Sequence, residues 1–223
     1  MSYWTIQPIW RGETVAILGN GPSLPVAVKE LAAHRESVKV LAINDALRIA
    51  PLADAHYFCD PQWAAWSDRV ASGKTRAELL LEFAGHKFVL ENKKLWPQFP
   101  GCKPLRNYGW NPAAHLAGIN PQPDGLYTGR NSGYATIVLA AKAGASRIVL
   151  LGFDMQPGHW FGTYPHEVSP QGYENVFLPA FPHLVKPLAK MNVQIFNCTP
   201  GSALRVFPCA PLHEALAKEQ VAA

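Results

Sequence analysis

The feature that most constrains this chain is a recurring pair: a short, largely apolar run followed at once by small or polar residues that turn. Residues 14–18 (TVAIL) run into Gly19-Asn20-Gly21-Pro22-Ser23, residues 38–43 (VKVLAI) into Asn44-Asp45, and residues 55–59 (AHYFC) into Asp60-Pro61. Residues 87–90 (KFVL) run into Glu91-Asn92, 147–151 (RIVLL) into Gly152-Phe153-Asp154, and 194–197 (QIFN) into Cys198-Thr199-Pro200-Gly201-Ser202. Runs this short and this apolar suit strands buried on both faces, the condition of a parallel sheet.

Helical stretches fall between the strands. Residues 25–34 begin with Pro25, whose missing N–H costs nothing in a first turn, and residues 131–144 (NSGYATIVLAAKAG) have a polar entry, an alanine-rich body and a glycine stop. Residues 62–83 read as mainly helical, 175–190 as a helix interrupted near Pro179 and Pro182, and 212–220 as a short final helix. Strands alternating with helices imply an α/β, Rossmann-like three-layer fold with a mostly parallel sheet. Of the 20 prolines, twelve fall between Trp96 and Pro123 or between Pro157 and Pro187 and mark long surface loops. One is an irregular insertion at about 93–127; the other, at about 156–173, is rich in aromatics and suits a lid. A chain of 223 residues is enough for one such domain, taken as 1–223.

With 48% hydrophobic and 16% charged residues the chain can bury a core, which excludes intrinsic disorder. No apolar stretch approaches the roughly 20 residues of a membrane helix. The start, Met1-Ser2-Tyr3-Trp4-Thr5, has no basic region leading into an apolar run. The four cysteines, Cys59, Cys102, Cys198 and Cys209, show no CxxC spacing. They read as reduced thiols, and the expected location is cytoplasmic. The net charge of +4 is spread along the chain. It suits anionic small molecules at least as well as nucleic acid.

In a sheet of this kind ligands bind beyond the carboxyl ends of the strands, so the strand ends are the candidate site. In GNGPSL, Gly19 and Gly21 let the backbone approach a ligand, and Ser23 adds a hydroxyl near a helix start, an arrangement suited to phosphate. The motif is neither GxGxxG nor GxxxxGK[ST], and a plain Gly-Pro turn capped by Ser23 is the alternative. Arg130, Asn131, Ser132 and Gly133 enter the alanine-rich helix, where they either cap it or meet an anion as well. Asp60 and Asp154 suit Mg²⁺ held between phosphates, or capping of the next helix. His159 and His166 are candidates for acid or base chemistry near neutral pH, in a loop whose spacing does not match a zinc site.

Taken in order, VAILGNGPSL, LAIND, YFCDP, NSGYATIVLAAKAGASRIVLLGFDM and IFNCTPGSAL resemble the bacterial sialyltransferases of glycosyltransferase family 42. They are also similar to the related family typified by the archaeal 6-hydroxymethylpterin diphosphokinase, which includes phage-type members. The first resemblance implies Asn20, Gly21 and Ser23 around the nucleotide phosphate and Asn44 on the donor. It also implies the helix-entry pair Ser132-Gly133 and a nucleotide-holding Ser202. Three positions depart from it. Asp60 stands where the family has Asn, and Gln156 where it has a catalytic Tyr; His159-Trp160-Phe161-Gly162 is followed by Thr163, with His166 further on. Asp60 agrees better with the diphosphokinase pattern, in which Asp60 and Asp154 hold Mg²⁺.

The expectation is therefore a nucleotide-dependent transferase, glycosyltransferase-like, acting from a nucleotide-activated sugar onto a small-molecule or glycan acceptor. His166 or His159 is the expected base. No cofactor is expected to be tightly bound, Mg²⁺ entering with a nucleotide co-substrate, and the resemblance implies assembly into homo-oligomers. The alternatives are a Mg²⁺-dependent diphosphokinase-like enzyme acting on a small heterocyclic alcohol, and a non-catalytic module binding nucleotide or nucleic acid.

Overall fold

The structure, a computed structural model, describes residues 2–60, 63, 73–91, 101–162 and 167–217. Its strands are β1 (Thr14–Leu18), β2 (Lys39–Ile43), β3 (Ala55–Phe58), β4 (His86–Leu90), β5 (Lys103–Asn107), β6 (Gly125–Leu126), β7 (Arg147–Leu151) and β8 (Gln194–Asn197). They form one sheet in the order β6-β5-β4-β3-β2-β1-β7-β8, and every pairing between them is parallel. The helices that matter here are α1 (Leu24–Ala32), α2 (Arg76–Glu82), α3 (Ser132–Lys142), α4 (Pro182–Lys190) and α5 (Leu212–Leu216). The strand order runs outward from β1 in one direction to β6 and in the other to β7 and β8. The topological switch point therefore lies between β1 and β7.

Alternate residues of each strand feed two cores, one on each face, which makes the fold three-layered. Val15 and Ile17 of β1 join Leu41, Ile43 and Tyr57 in the core under α3, while Ala16 and Leu18 join Val40, Ala42, Val149 and Leu151 in the core under α1. From Tyr134 to Ala141, α3 is buried at every position. Its small side chains let the helix lie close to the sheet, and its polar groups are satisfied: Thr136 Oγ1 donates to the carbonyls of Ser132 and Gly133, both at 2.9 Å, and Tyr134 Oη donates to Gly118 O at 3.0 Å. The aromatic opening packs along the same face, with Trp4 N–H donating to Pro104 O and Ile6 N–H to Pro123 O, each at 2.8 Å.

The segment expected to be an irregular insertion contributes β5 and β6 to the sheet. Only Leu105 of β5 is fully buried and β6 is two residues long, so neither presents an apolar run to read. Residues 93–100 of that segment, and 62 and 64–72 of the stretch 62–83 expected to be mainly helical, lie outside the described residues. Between 173 and 190 the expected interrupted helix is a π turn, a 3₁₀ turn and then α4, with Pro182 at its first turn and Pro187 inside it. Among the described residues no helix is long and apolar enough to cross a membrane, and all four cysteines are free.

Candidate functional site

The strand ends open into a cleft of about 1120 Å³ at the switch point. Gly19, Asn20, Gly21, Asn44, Asp60, Arg130, Asn131, Ser132, Gly133 and His159 all line it. Ser23, Asp154 and Ser202 are not among its lining residues, and His166 lies outside the described residues. Among the described residues, three of the five non-glycine positions with positive φ also line it: Asn44 (48°), Arg130 (60°) and Met155 (53°). Left-handed backbone at non-glycine positions costs energy and tends to gather where a site needs it.

The first turn is built against the end of β7. The N–H of Gly19 donates to Leu151 O at 2.8 Å and that of Gly21 to Gly152 O at 2.9 Å. A Cβ on Gly19 would lie 2.4 Å from Gly152 O, so the glycine there serves close approach of two chain segments. Ser23 does not cap α1. Its backbone is helical, its N–H points to Asp154 Oδ1 at 3.3 Å and its hydroxyl donates to Asp154 Oδ2 at 2.8 Å. A carboxylate from the end of β7 thus occupies the anion position at the start of α1.

The C-terminal NCTPGSAL block acts as a buckle on the same loop. Ser202, fully buried, donates its hydroxyl to Phe153 O at 2.5 Å and accepts from Leu204 N–H at 3.0 Å. Thr199 Oγ1 accepts from Phe153 N–H at 2.9 Å, and Asn197 Nδ2 donates to Leu204 O at 2.9 Å. Phe153, held in this way, lies against Gly133 at the start of α3, where a Cβ would come within 2.7 Å of its ring.

The start of α3 is the other helix end at the cleft. Asn131 is its cap, accepting from Tyr134 N–H at 2.7 Å and donating to Gly129 O at 3.0 Å. Capping uses both ends of that side chain, while Ser132 and Gly133 follow at the cleft wall with exposed Arg130 just before them. Ser132 Oγ and Cys59 Sγ are 3.0 Å apart, and burial pushes the Cys59 thiol up, so it is protonated at neutral pH. Tyr57, below Cys59 on β3, is fully buried, and its hydroxyl has no hydrogen-bond partner in the structure.

The sequence reading missed a buried ionic cluster on the opposite wall. Asp45 Oδ1 accepts from Arg76 Nε and Arg48 Nη1, both at 3.1 Å, and Oδ2 from Trp63 Nε1 at 2.9 Å. Arg48 in turn lies over the rings of Trp160 and Phe161, 5.1 and 5.5 Å from their centroids, and Trp160 N–H donates to Asn20 O at 3.2 Å. The start of the aromatic loop is thereby tied to both walls. Burial lowers the His159 pKa, and the carboxylates of Glu167 and Asp45 oppose that shift, so its neutral form is favoured and can accept a proton.

Among the described residues no group of three or more His, Cys, Asp or Glu side chains could hold a metal ion. Of the two expected carboxylates, Asp60 lines the cleft and Asp154 has both oxygens engaged by Ser23.

No family model matches the chain, and no curated protein matches it. Among solved structures it is similar to the MAf glycosyltransferase from Magnetospirillum magneticum AMB-1, at 16% identity and a TM-score of 0.58, over 93% of this chain. The chain spans 35% of that protein's length. It is also similar to the sialyltransferase CstII from Campylobacter jejuni, in complex with a substrate analogue, cytidine-5'-monophosphate, at 14% identity and a TM-score of 0.49, over 94% of this chain and 88% of that one. At such identities the likeness is one of fold alone.

Proposed function

We propose that the chain is a nucleotide-dependent transferase of the glycosyltransferase type, binding a nucleotide-activated sugar in the cleft. The observation that carries this reading is the opening of α3's amino end, with Ser132, Gly133 and Arg130, onto a large cleft at the switch point of a parallel sheet. Main-chain N–H groups and the helix dipole favour an anion there, and Arg130 adds a full positive charge. The remote fold likeness to a protein named as a glycosyltransferase supports the same class. His159 lines the cleft in a state fit to take a proton from an acceptor hydroxyl; His166 remains an alternative base.

The diphosphokinase-like alternative relies on Asp60 and Asp154 together as metal ligands. The engagement of Asp154 by Ser23 favours glycosyl transfer over it. A thermal-shift panel tests the ranking, with CMP, CMP-sialic acid, UDP-sugars, ATP, GTP and dihydropterin each measured with Mg²⁺ and with chelator. Stabilisation by a pyrimidine nucleotide or its sugar in both conditions is the expected result. Stabilisation only by a purine triphosphate, and only with Mg²⁺, would overturn the ranking, and no response to any ligand would overturn the nucleotide reading.

A further inference from the structure

The turn after β1 carries the wrong polarity for a phosphate. The N–H groups of Gly19 and Gly21 are spent on β7 carbonyls, that of Leu24 on Gly21 O at 3.1 Å, and both donors of Ser23 on Asp154. Of the donors from Gly19 to Leu24 with main-chain N–H, only that of Asn20 is left. Beside that single donor the turn carries an unused acceptor, on the side chain of the cleft-lining Asn20. Asn20 Nδ2 donates to Ile43 O at 2.9 Å, and because a carbonyl can only accept, the side-chain amide cannot be turned over. Its Oδ1 is left buried without a hydrogen-bond partner.

Asn44, the residue after that carbonyl, repeats the pattern. Its Oδ1 is also buried and unpartnered, and its left-handed backbone is held by His56 Nε2–H donating to its carbonyl at 3.1 Å. Buried acceptors without donors are costly, and two of them on one cleft call for a ligand that brings donors.

We infer that Asn20 and Asn44 bind the pentose hydroxyls of the ligand, so that a nucleotide lies with its ribose on the ends of β1 and β2 and its phosphate at the start of α3. The inference rests on the nucleotide reading above and assigns to the turn a role opposite to phosphate binding. The spacing agrees with it. Gly19 and Gly133 both rest against the one Phe153 ring, where added Cβ atoms would lie 3.1 Å from Cδ2 and 2.7 Å from Cε1. Gly19, just before Asn20, and Gly133, just after Ser132, are thus separated by one aromatic ring, which puts the first turn and the start of α3 within reach of one nucleotide. A phosphate placed at the turn would instead find a single unused main-chain N–H, that of Asn20, beside the unpartnered Asn20 Oδ1.

The test compares CMP, UMP, AMP and GMP with their 2′-deoxy and 3′-deoxy counterparts by calorimetric titration, in the wild-type protein and in Asn20→Ala. The expected result is that whichever ribonucleotide binds loses about tenfold or more in affinity without a ribose hydroxyl, and that this ratio shrinks toward one in Asn20→Ala. Equal affinity of ribo and deoxy forms in the wild type, an arm that needs no variant, would overturn the inference while leaving the nucleotide reading intact. So would a ratio unchanged in a folded Asn20→Ala protein. Failure of every nucleotide to bind would overturn the nucleotide reading itself, and this inference with it.

Discussion

Gly21 faces the Asp154 carboxylate so closely that a Cβ at Gly21 would lie 1.8 Å from Asp154 Oδ2. The second glycine of GNGPSL is therefore needed to admit a carboxylate of the protein itself. Gly21→Ala must push Asp154 off Ser23 and is expected to lower the unfolding free energy by about 2–3 kcal/mol. Urea denaturation measures this, and wild-type stability in the variant would contradict it.

If Asp154 occupies an anion position at the start of α1, removing it exposes a vacancy that a small anion fills. Asp154→Ala is expected to melt at a lower temperature than the wild type and to recover part of the loss in inorganic phosphate. The comparison is the phosphate-induced rise in Tm for the two proteins at equal ionic strength. Equal rises would show that the α1 terminus does not select for an anion.

Asp45, fully buried, is the shared acceptor of Arg76, Arg48 and Trp63, and Arg76 is only 2% exposed. Deleting the carboxylate takes from the buried Arg76 guanidinium the acceptor of its Nε–H. Asp45→Ala is expected to cost about 3–5 kcal/mol in chemical denaturation. A loss below about 1 kcal/mol would mean that Arg76 finds water or another partner.

His56 is fully buried, and burial lowers its pKa to about 4. Its folded value lies below the unfolded one of about 6.5, so the unfolded chain binds more protons between those limits. The stabilisation is complete above about pH 6.5 and is lost as the pH falls toward 4, a change on the order of 3 kcal/mol. Denaturation series across that range should show a steeper decline for the wild type than for His56→Gln. Parallel declines would place the acid sensitivity elsewhere.

Strands β1, β2, β3 and β7 were legible because burial on both faces leaves a contiguous signal, and β4 and β8, only partly buried, through shorter apolar runs; the polar ends of β1, β2, β3, β4 and β7 line the cleft, and that of β8 does not. Strands β5 and β6 were not, because Lys103, Arg106 and Asn107 stay partly or largely exposed and Gly125–Leu126 is too short to show a period. Asn20, Asn44 and Ser132 could be read as residues at strand ends or a helix entry, but the polarity each presents depends on its neighbours. The Asn20 amide is fixed by Ile43 O, and the Ser23 hydroxyl is spent on Asp154, 131 residues away. Asp45 and Arg76 escaped notice because an ion pair spanning 31 residues leaves no local pattern.

The central claim is that the start of α3 holds the ligand's phosphate, and the most direct measurement is a thermodynamic cycle over that phosphate. Calorimetric titration of CMP, UMP, AMP and GMP, each against its phosphate-free nucleoside, is made with the wild type and with Arg130→Ala. The account predicts that the nucleotide binds at least about tenfold more tightly than its nucleoside in the wild type. It also predicts that Arg130→Ala weakens the nucleotide and leaves the nucleoside nearly unchanged, a coupling of about 1 kcal/mol or more. Equal weakening of both, or no preference for the phosphate in the wild type, would contradict it.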